Sequence, residues 1–249
     1  MNIEGKTIIL TGARRIGQAV AEELAKKGAN LAITYRTAKD ESEAMCKACT
    51  AYGVKAEPIM ADLSKEEDIK NLVTDVKKKF GRIDGLVHMA ANYPKTPWKE
   101  VKAENLDSEF QIITRSAVLL GKLVSKEMED GSPRSAGGAG RIIFISDWAA
   151  NRAPYKDYAP YLIAKGALET ATKVLAVELA PNTTVNCIAP GPILRPPDLT
   201  EEENEGVARR TLLKPWPGPL EIAKAVIFFL ESDFVTGVIL PVDGGRSIA

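Results

Sequence analysis

Two short stretches carry the side chains best suited to chemistry. In YLIAK, Tyr161 and Lys165 are spaced i, i+4 and so share one face of a helix. An unperturbed tyrosine titrates near ~10, too high to exchange protons readily at neutral pH. A lysine ammonium close by favours the phenolate, lowers that value and makes a usable general acid–base. The second stretch is ISDW, Ile145 to Trp148, which closes the apolar run RIIFISDW. Side chains alternate along a strand, so Ser146 and Asp147 face opposite ways and compete for one place beside the tyrosine.

A third stretch, TGARRIG, suits a phosphate. Gly12 allows a tight turn and Gly17 a close packing of helix on strand. The helix that opens there offers free N–H groups and a positive dipole end to a pyrophosphate. The next strand ends in TYRTAKD with no acid at its tip, where an Asp or Glu would grip the ribose 2′-hydroxyl of NAD. Arg36 instead suits a 2′-phosphate, with Arg14 or Lys39 assisting, so the expected cofactor is NADP. Asp62 either caps the helix that follows it or accepts from an adenine amino group.

The elements that must position these residues alternate along the chain. KTIIL, ANLAITY, KAEPIMA, GLVHM, RIIFIS, TVNCIA and GVILPV read as strands. Between them, residues 16–28, 39–53, 65–81, 108–128 and 161–180 carry helical spacing; Ile69, Leu72, Val73 and Val76 form one clear stripe. This alternation predicts an α/β fold in one domain, a doubly wound sheet of about seven mainly parallel strands with helices on both faces. GSPRSAGGAG, residues 131–140, reads as a flexible turn. The proline-rich and acidic stretch 190–206 falls where ligands bind in such sheets and is expected to act, within 190–210, as a substrate lid.

Composition narrows the function classes. Lys plus Arg (33) equals Asp plus Glu (33), which argues against a nucleic-acid binder. No apolar run approaches the ~20 residues of a membrane span. The opening MNIEGKTIILTG enters a strand at once and does not read as a signal peptide, so a cytoplasmic location is expected. Cys46 and Cys49 form a lone C-x-x-C without a second ligand pair, which reads as reduced structural thiols rather than a metal site. His88, the only histidine, follows an apolar strand and reads as a structural residue.

TGARRIG, ADLS, YLIAK, VNCIAPGPI and VTGVILPVDGG, in this order across nearly all the chain, resemble the short-chain dehydrogenase/reductase family. The resemblance implies a Rossmann-type domain, usually a homotetramer built through helices near 108–129 and 158–179. It implies Tyr161 as acid–base and Lys165 on the nicotinamide ribose. It also implies cofactor contacts from the first loop (Gly12, Arg14, Arg15, Ile16, Gly17), from Asp62, Leu63 and Ala90, and from Pro190, Gly191 and Ile193. Several positions depart from the family pattern. Arg15 stands where a middle glycine is common, His88-Met89-Ala90-Ala91 replaces the usual N-N-A-G, and no relay asparagine stands near Thr114.

The family normally ends the fifth strand in a serine that binds the substrate carbonyl. Aligning strand ends puts Asp147 in that place, as in the pteridine-reductase branch. RRIG, Tyr35-Arg36-Thr37 and AANYPKTPW fit the same branch. That resemblance implies Tyr93 flanking a flat pterin and Arg15 near phosphate and substrate; loop packing is the other reading of Tyr93 and Trp98. The expected activity is NADPH-dependent hydride transfer to a dihydropterin-like C=N bond or a carbonyl of a small molecule. A general carbonyl or 3-oxoacyl thioester reductase using Ser146, and a non-catalytic NADP-binding regulator, are the alternatives.

Overall fold

Strand β1, Thr7–Thr11, is buried at all five positions, as a strand covered on both faces must be. In the computed structural model, which describes residues 1–12, 14–128, 140–152, 154–196 and 199–249, it is an interior strand of a seven-stranded sheet. The other strands are β2 Asn30–Tyr35, β3 Ala56–Met60, β4 Gly85–His88, β5 Gly140–Ile145, β6 Thr183–Pro190 and β7 Ile239–Val242. Their order is β3-β2-β1-β4-β5-β6-β7, and every neighbouring pair is parallel. The winding reverses between β1 and β4, which opens a crevice at their carboxyl ends. Register pairs Thr11 with His88 and Ile145 with Ile188, so TGARRIG, HMAA, ISDW and PGPI all emerge at that one edge.

The helices are α1 Ile16–Lys26, α2 Lys39–Thr50, α3 Glu66–Phe80, α4 Ala103–Phe110, α5 Ser116–Met128, α6 Ala159–Glu178, α7 Glu201–Arg209 and α8 Leu220–Glu231. One apolar layer joins the sheet to α3, α5 and α6; the other joins it to α1, α2 and α8. The α3 stripe Ile69, Leu72, Val73 and Val76 is buried as its spacing requires. Acids in its first turn and lysines in its last complement the helix dipole, and Gly81 closes it at φ 77°. Cys46 and Cys49 are free and buried in the second layer. Burial pushes their thiols up to about 12 and about 11, which leaves them unreactive.

Two expectations need correction. Residues 108–128 are not one regular helix: α4 and α5 are joined by a π-helical turn, Gln111–Arg115. Ser116 Oγ bonds the Ile112 carbonyl and also lies 3.2 Å from His88 Nε2, so the extra residue fits the chain around a buried imidazole. The acidic half of 190–206 is not loop but the start of α7. Thr200 and Glu203 form a capping box, with Glu203 N donating to Thr200 Oγ1 at 3.3 Å, and the acids 201–203 stabilise the positive end of the helix. The turn expected over 131–140 lies outside the described residues except for Gly140, which begins β5.

A Cβ at Gly17 would stand 2.6 Å from the Gly12 carbonyl oxygen, and one at Gly12 2.7 Å from the Met89 backbone. Gly17→Ala is therefore expected to push α1 off the first strand, lowering the denaturant midpoint and weakening dinucleotide binding at least tenfold. Equilibrium unfolding and a cofactor titration check both; unaltered values would contradict the packing argument.

Candidate active site

The residues singled out above for cofactor or catalysis, and Tyr93, line a single cleft of about 1110 Å3 at the carboxyl edge of the sheet, with the exception of Lys39, which does not reach it. At its first end, α1 begins with no side-chain cap and no acid in its first turn, leaving N–H groups for an anion. Arg15 sits there at φ 54°, ψ −100°, a conformation that favours glycine and that a non-glycine residue adopts only under strain. Arg36 lies exposed at the tip of β2 with no carboxylate bonded to it among the described residues. Arg14 is less free than expected, because its Nη2 is 2.7 Å from Glu41 Oε1. Asp62 Oδ1 accepts from Ser64 N at 3.1 Å and Ser64 Oγ at 2.7 Å, so the carboxylate holds the turn into α3 while lining the cleft. The residues fit a dinucleotide with a phosphorylated ribose: a glycine cradle, an uncapped helix start and an unpaired arginine.

At the other end, Tyr161 OH donates to Asp147 Oδ2 at 3.1 Å. Asp147 is anchored in turn, its Oδ1 accepting from Ala149 N at 2.9 Å. Ser146 faces the other way, as strand alternation requires. Its Oγ is 2.8 Å from Glu169 Oε1 and 3.2 Å from the Lys165 carbonyl, and Glu169 also accepts from Asn151. Lys165 Nζ donates to the Ile145 carbonyl at 2.5 Å and stands 5.5 Å from the centre of the Tyr161 ring. His88 is buried between Thr11 Oγ1 at 2.9 Å and Ser116 Oγ at 3.2 Å. Burial pushes its pKa down to about 3, so it is a neutral structural tie. Thr114 is buried too, its Oγ1 donating to the Ala164 carbonyl at 2.7 Å.

The lowering of the Tyr161 pKa expected from Lys165 is outweighed. Burial first, and then the Asp147 carboxylate, hold the phenol well above its ordinary range. The ammonium is committed to the Ile145 carbonyl and lies against the ring, and burial brings its own pKa down to about 8. Burial likewise raises the Asp147 carboxyl. The site thus keeps Tyr161 a neutral proton donor.

Sequence reasoning missed two aromatic partners. Tyr93 stacks on Tyr158 with centroids 4.4 Å apart and meets Tyr161 edge-on at 4.9 Å. Tyr155 OH reaches Asp147 Oδ2 at 3.4 Å and accepts from Tyr93 OH at 3.1 Å. The spacing of Tyr158 and Tyr161, three apart at the start of α6, was the available signal for Tyr158; Tyr155 lies in the loop before that helix. Glu109 was missed as well; it is buried, accepts from Asn92 at 3.4 Å through one oxygen and has no partner for the other among the described residues. Trp98 is exposed and does not line the cleft.

Residues 12–247 match the family profile described as enoyl-(acyl carrier protein) reductase. The Arabidopsis thaliana protein called short-chain dehydrogenase/reductase SDRA is 33% identical, across 98% of this chain and 95% of its own. A short-chain dehydrogenase/reductase from Serratia marcescens superposes with a TM-score of 0.89 at 30% identity, covering 99% of this chain and 100% of its own. FolM alternative dihydrofolate reductase 1 from Brucella canis, complexed with NADP, gives 0.88 at 29% identity over 100% and 97%.

A carboxyl whose pKa is raised in the fold is neutral in both folded and unfolded states at low pH, where full stability is present. Stability is lost as the pH rises through the raised folded value, because a charge must then be buried. Asp147→Asn is therefore expected to raise Tm at pH 7, with the gain disappearing below about pH 4, where the parent carboxyl is also neutral. Calorimetry at the two pH values checks this; no gain at pH 7 would contradict a raised Asp147.

Proposed function

This chain belongs to the short-chain dehydrogenase/reductase family, and from that premise we propose an NADPH-dependent reductase acting on the C=N bond of a dihydropterin-like ring. The observation that carries the reading is the Tyr161–Asp147 hydrogen bond, which sets a carboxylate where a carbonyl-binding hydroxyl would serve a ketone. A carboxylate repels a carbonyl oxygen but accepts from the amino and ring N–H groups of a pterin. NADP is supported by Arg36 at the tip of β2, by the missing acid there, and by the NADP bound to the Brucella neighbour. That neighbour is also a dihydrofolate reductase by name, which agrees with the pterin reading.

NADPH, when bound, supplies the hydride that reaches the ring carbon. Tyr161 delivers its phenolic proton to the adjacent ring nitrogen, and its high pKa keeps that proton in place until the acceptor gains basicity. The phenolate so formed lies beside the Lys165 ammonium, which steadies it until it is reprotonated. Asp147 orients the phenol and accepts a substrate N–H, and Tyr93 offers an aromatic face at the cleft wall. Described residues of 190–210, including part of α7, line the cleft and are proposed as its substrate lid.

A reductase of ketones or acyl thioesters using Ser146 is the competing reading, and the hydroxyl already engaged by Glu169 weighs against it. Purified protein should oxidise NADPH with dihydrobiopterin or dihydrofolate in preference to simple ketones and acetoacetyl thioesters. Asp147→Ala should collapse the pterin rate, and Tyr161→Phe should cost about 10²–10⁴ in kcat. Turnover of ketones alone, surviving Asp147→Ala but lost in Ser146→Ala, would replace this reading with the other. NADPH binding without turnover of any substrate would favour a non-catalytic regulator.

A homotetramer is also proposed, on the apolar face that α4 and α6 leave exposed through Phe110, Ile163, Val174 and Val177. Size-exclusion with light scattering should give about four times the 26.9 kDa protomer, and Val177→Asp should reduce it; a concentrated monomer would contradict the assembly.

A further inference from the structure

Arg210 and Arg246 are two arginines on the wall of the cleft that no carboxylate among the described residues neutralises. Arg210 Nε donates to the Gly206 carbonyl at 3.1 Å, and Arg246 Nη1 to the Val207 carbonyl at 3.3 Å. Successive carbonyls of α7 thus hold the two guanidinium groups side by side, and their mutual repulsion, after burial, lowers the Arg246 pKa. Capping the end of α7 accounts for one N–H of each, whereas a guanidinium carries five. Neighbouring arginines do have acid partners: Arg209 pairs with Glu205 and Arg195 with Glu201. Glu202 and Glu203 also line the cleft, but they lie near the start of α7, about 10 Å along its axis from Arg210.

The presentation of Arg246 is built rather than incidental. Asp243, buried, accepts from Gly245 N at 3.0 Å and Ser247 N at 2.8 Å, fixing the turn on which Arg246 stands. Its guanidinium carbon lies 5.1 Å from the centre of the Trp148 ring. Trp148 follows Asp147 directly, so this cationic wall continues from the carboxylate that meets the ring to be reduced. An exposed arginine and a half-buried one, adjacent and unpaired in a cleft, make a bidentate site for a carboxylate or phosphate.

We propose that Arg210 and Arg246, with Trp148, bind the anionic tail of the substrate, so that the preferred substrate is a dihydropterin whose side chain ends in one or more carboxylates. The proposal deepens the pterin reading and rests on it for the ring. Folded state and cofactor binding of each variant are first verified by NADPH titration, which reads the far end of the cleft.

Arg246→Ala and Arg210→Ala should each lower kcat/KM for dihydrofolate about tenfold more than for dihydrobiopterin, mainly through KM. Raising the salt concentration should erode the dihydrofolate preference of the parent. Equal losses on the two substrates, or no loss on either, would overturn the tail site. Binding of p-aminobenzoylglutamate to the NADPH-loaded protein tests the tail without the ring. Retained binding that Arg246→Ala abolishes, in an enzyme inactive on every pterin, would keep the anion site and discard the pterin; no binding would discard the anion site.

Discussion

The hydrogen bond between Tyr161 and Asp147 joins the start of α6 to the end of β5, and the chemistry of the cleft depends on it. A phenol and a carboxylate placed together in a half-buried site cannot both ionise cheaply, so one proton is held between them. That constraint makes Tyr161 a proton donor. Lys165 does not relieve it while the phenol is neutral, when the ammonium donates to the Ile145 carbonyl and faces the ring. A carboxyl kept in an unfavourable place for the fold is what a site paying for specificity looks like.

The remaining polar contacts make sense as supports for this pair. Ser146 turns into α6 to meet Glu169, four residues on from Lys165, and Asn151 closes the same carboxylate from the loop beyond β5. With the serine fixed on one side of the strand end, the aspartate must project on the other. On the neighbouring strand, Thr11 and Ser116 hold His88 between them, and Thr11 Oγ1 also accepts from Met89 N and Ala90 N at 3.1 and 3.2 Å. The loop that carries Tyr93 therefore leaves β4 in a set direction. Thr96 N donates to the Asp157 carbonyl at 2.6 Å, which ties that loop to the one bearing Tyr155 and Tyr158.

The fold was legible because burial on both faces leaves continuous apolar strands, and because the α3 stripe repeats at helical spacing. The site residues were legible because a doubly wound sheet gathers loops distant in sequence at one edge. Strand alternation left Ser146 and Asp147 competing for the place beside Tyr161, and only the resemblance of the strand end favoured Asp147. Besides Tyr155, Tyr158 and Glu109, three features escaped. The π-helical turn at Gln111–Arg115 answers to His88 across the sheet, a tertiary demand that helical periodicity does not carry. The start of α7 was hidden by its acids, although Thr200 and Glu203 spelled a capping box. The raised Tyr161 pKa depends on burial and on where the Lys165 ammonium ends, and neither can be read from an i, i+4 spacing.

The most direct test is the titration of the Asp147 carboxyl by carbon-13 NMR, with the resonance assigned by its loss in Asp147→Asn. The account predicts a midpoint above the ordinary ~3.9 of an aspartate, moving higher still in Tyr161→Phe, where the donor that favours the charged form is gone. A midpoint at or below that ordinary value, indifferent to Tyr161→Phe, would contradict the shared proton and the donor role built on it.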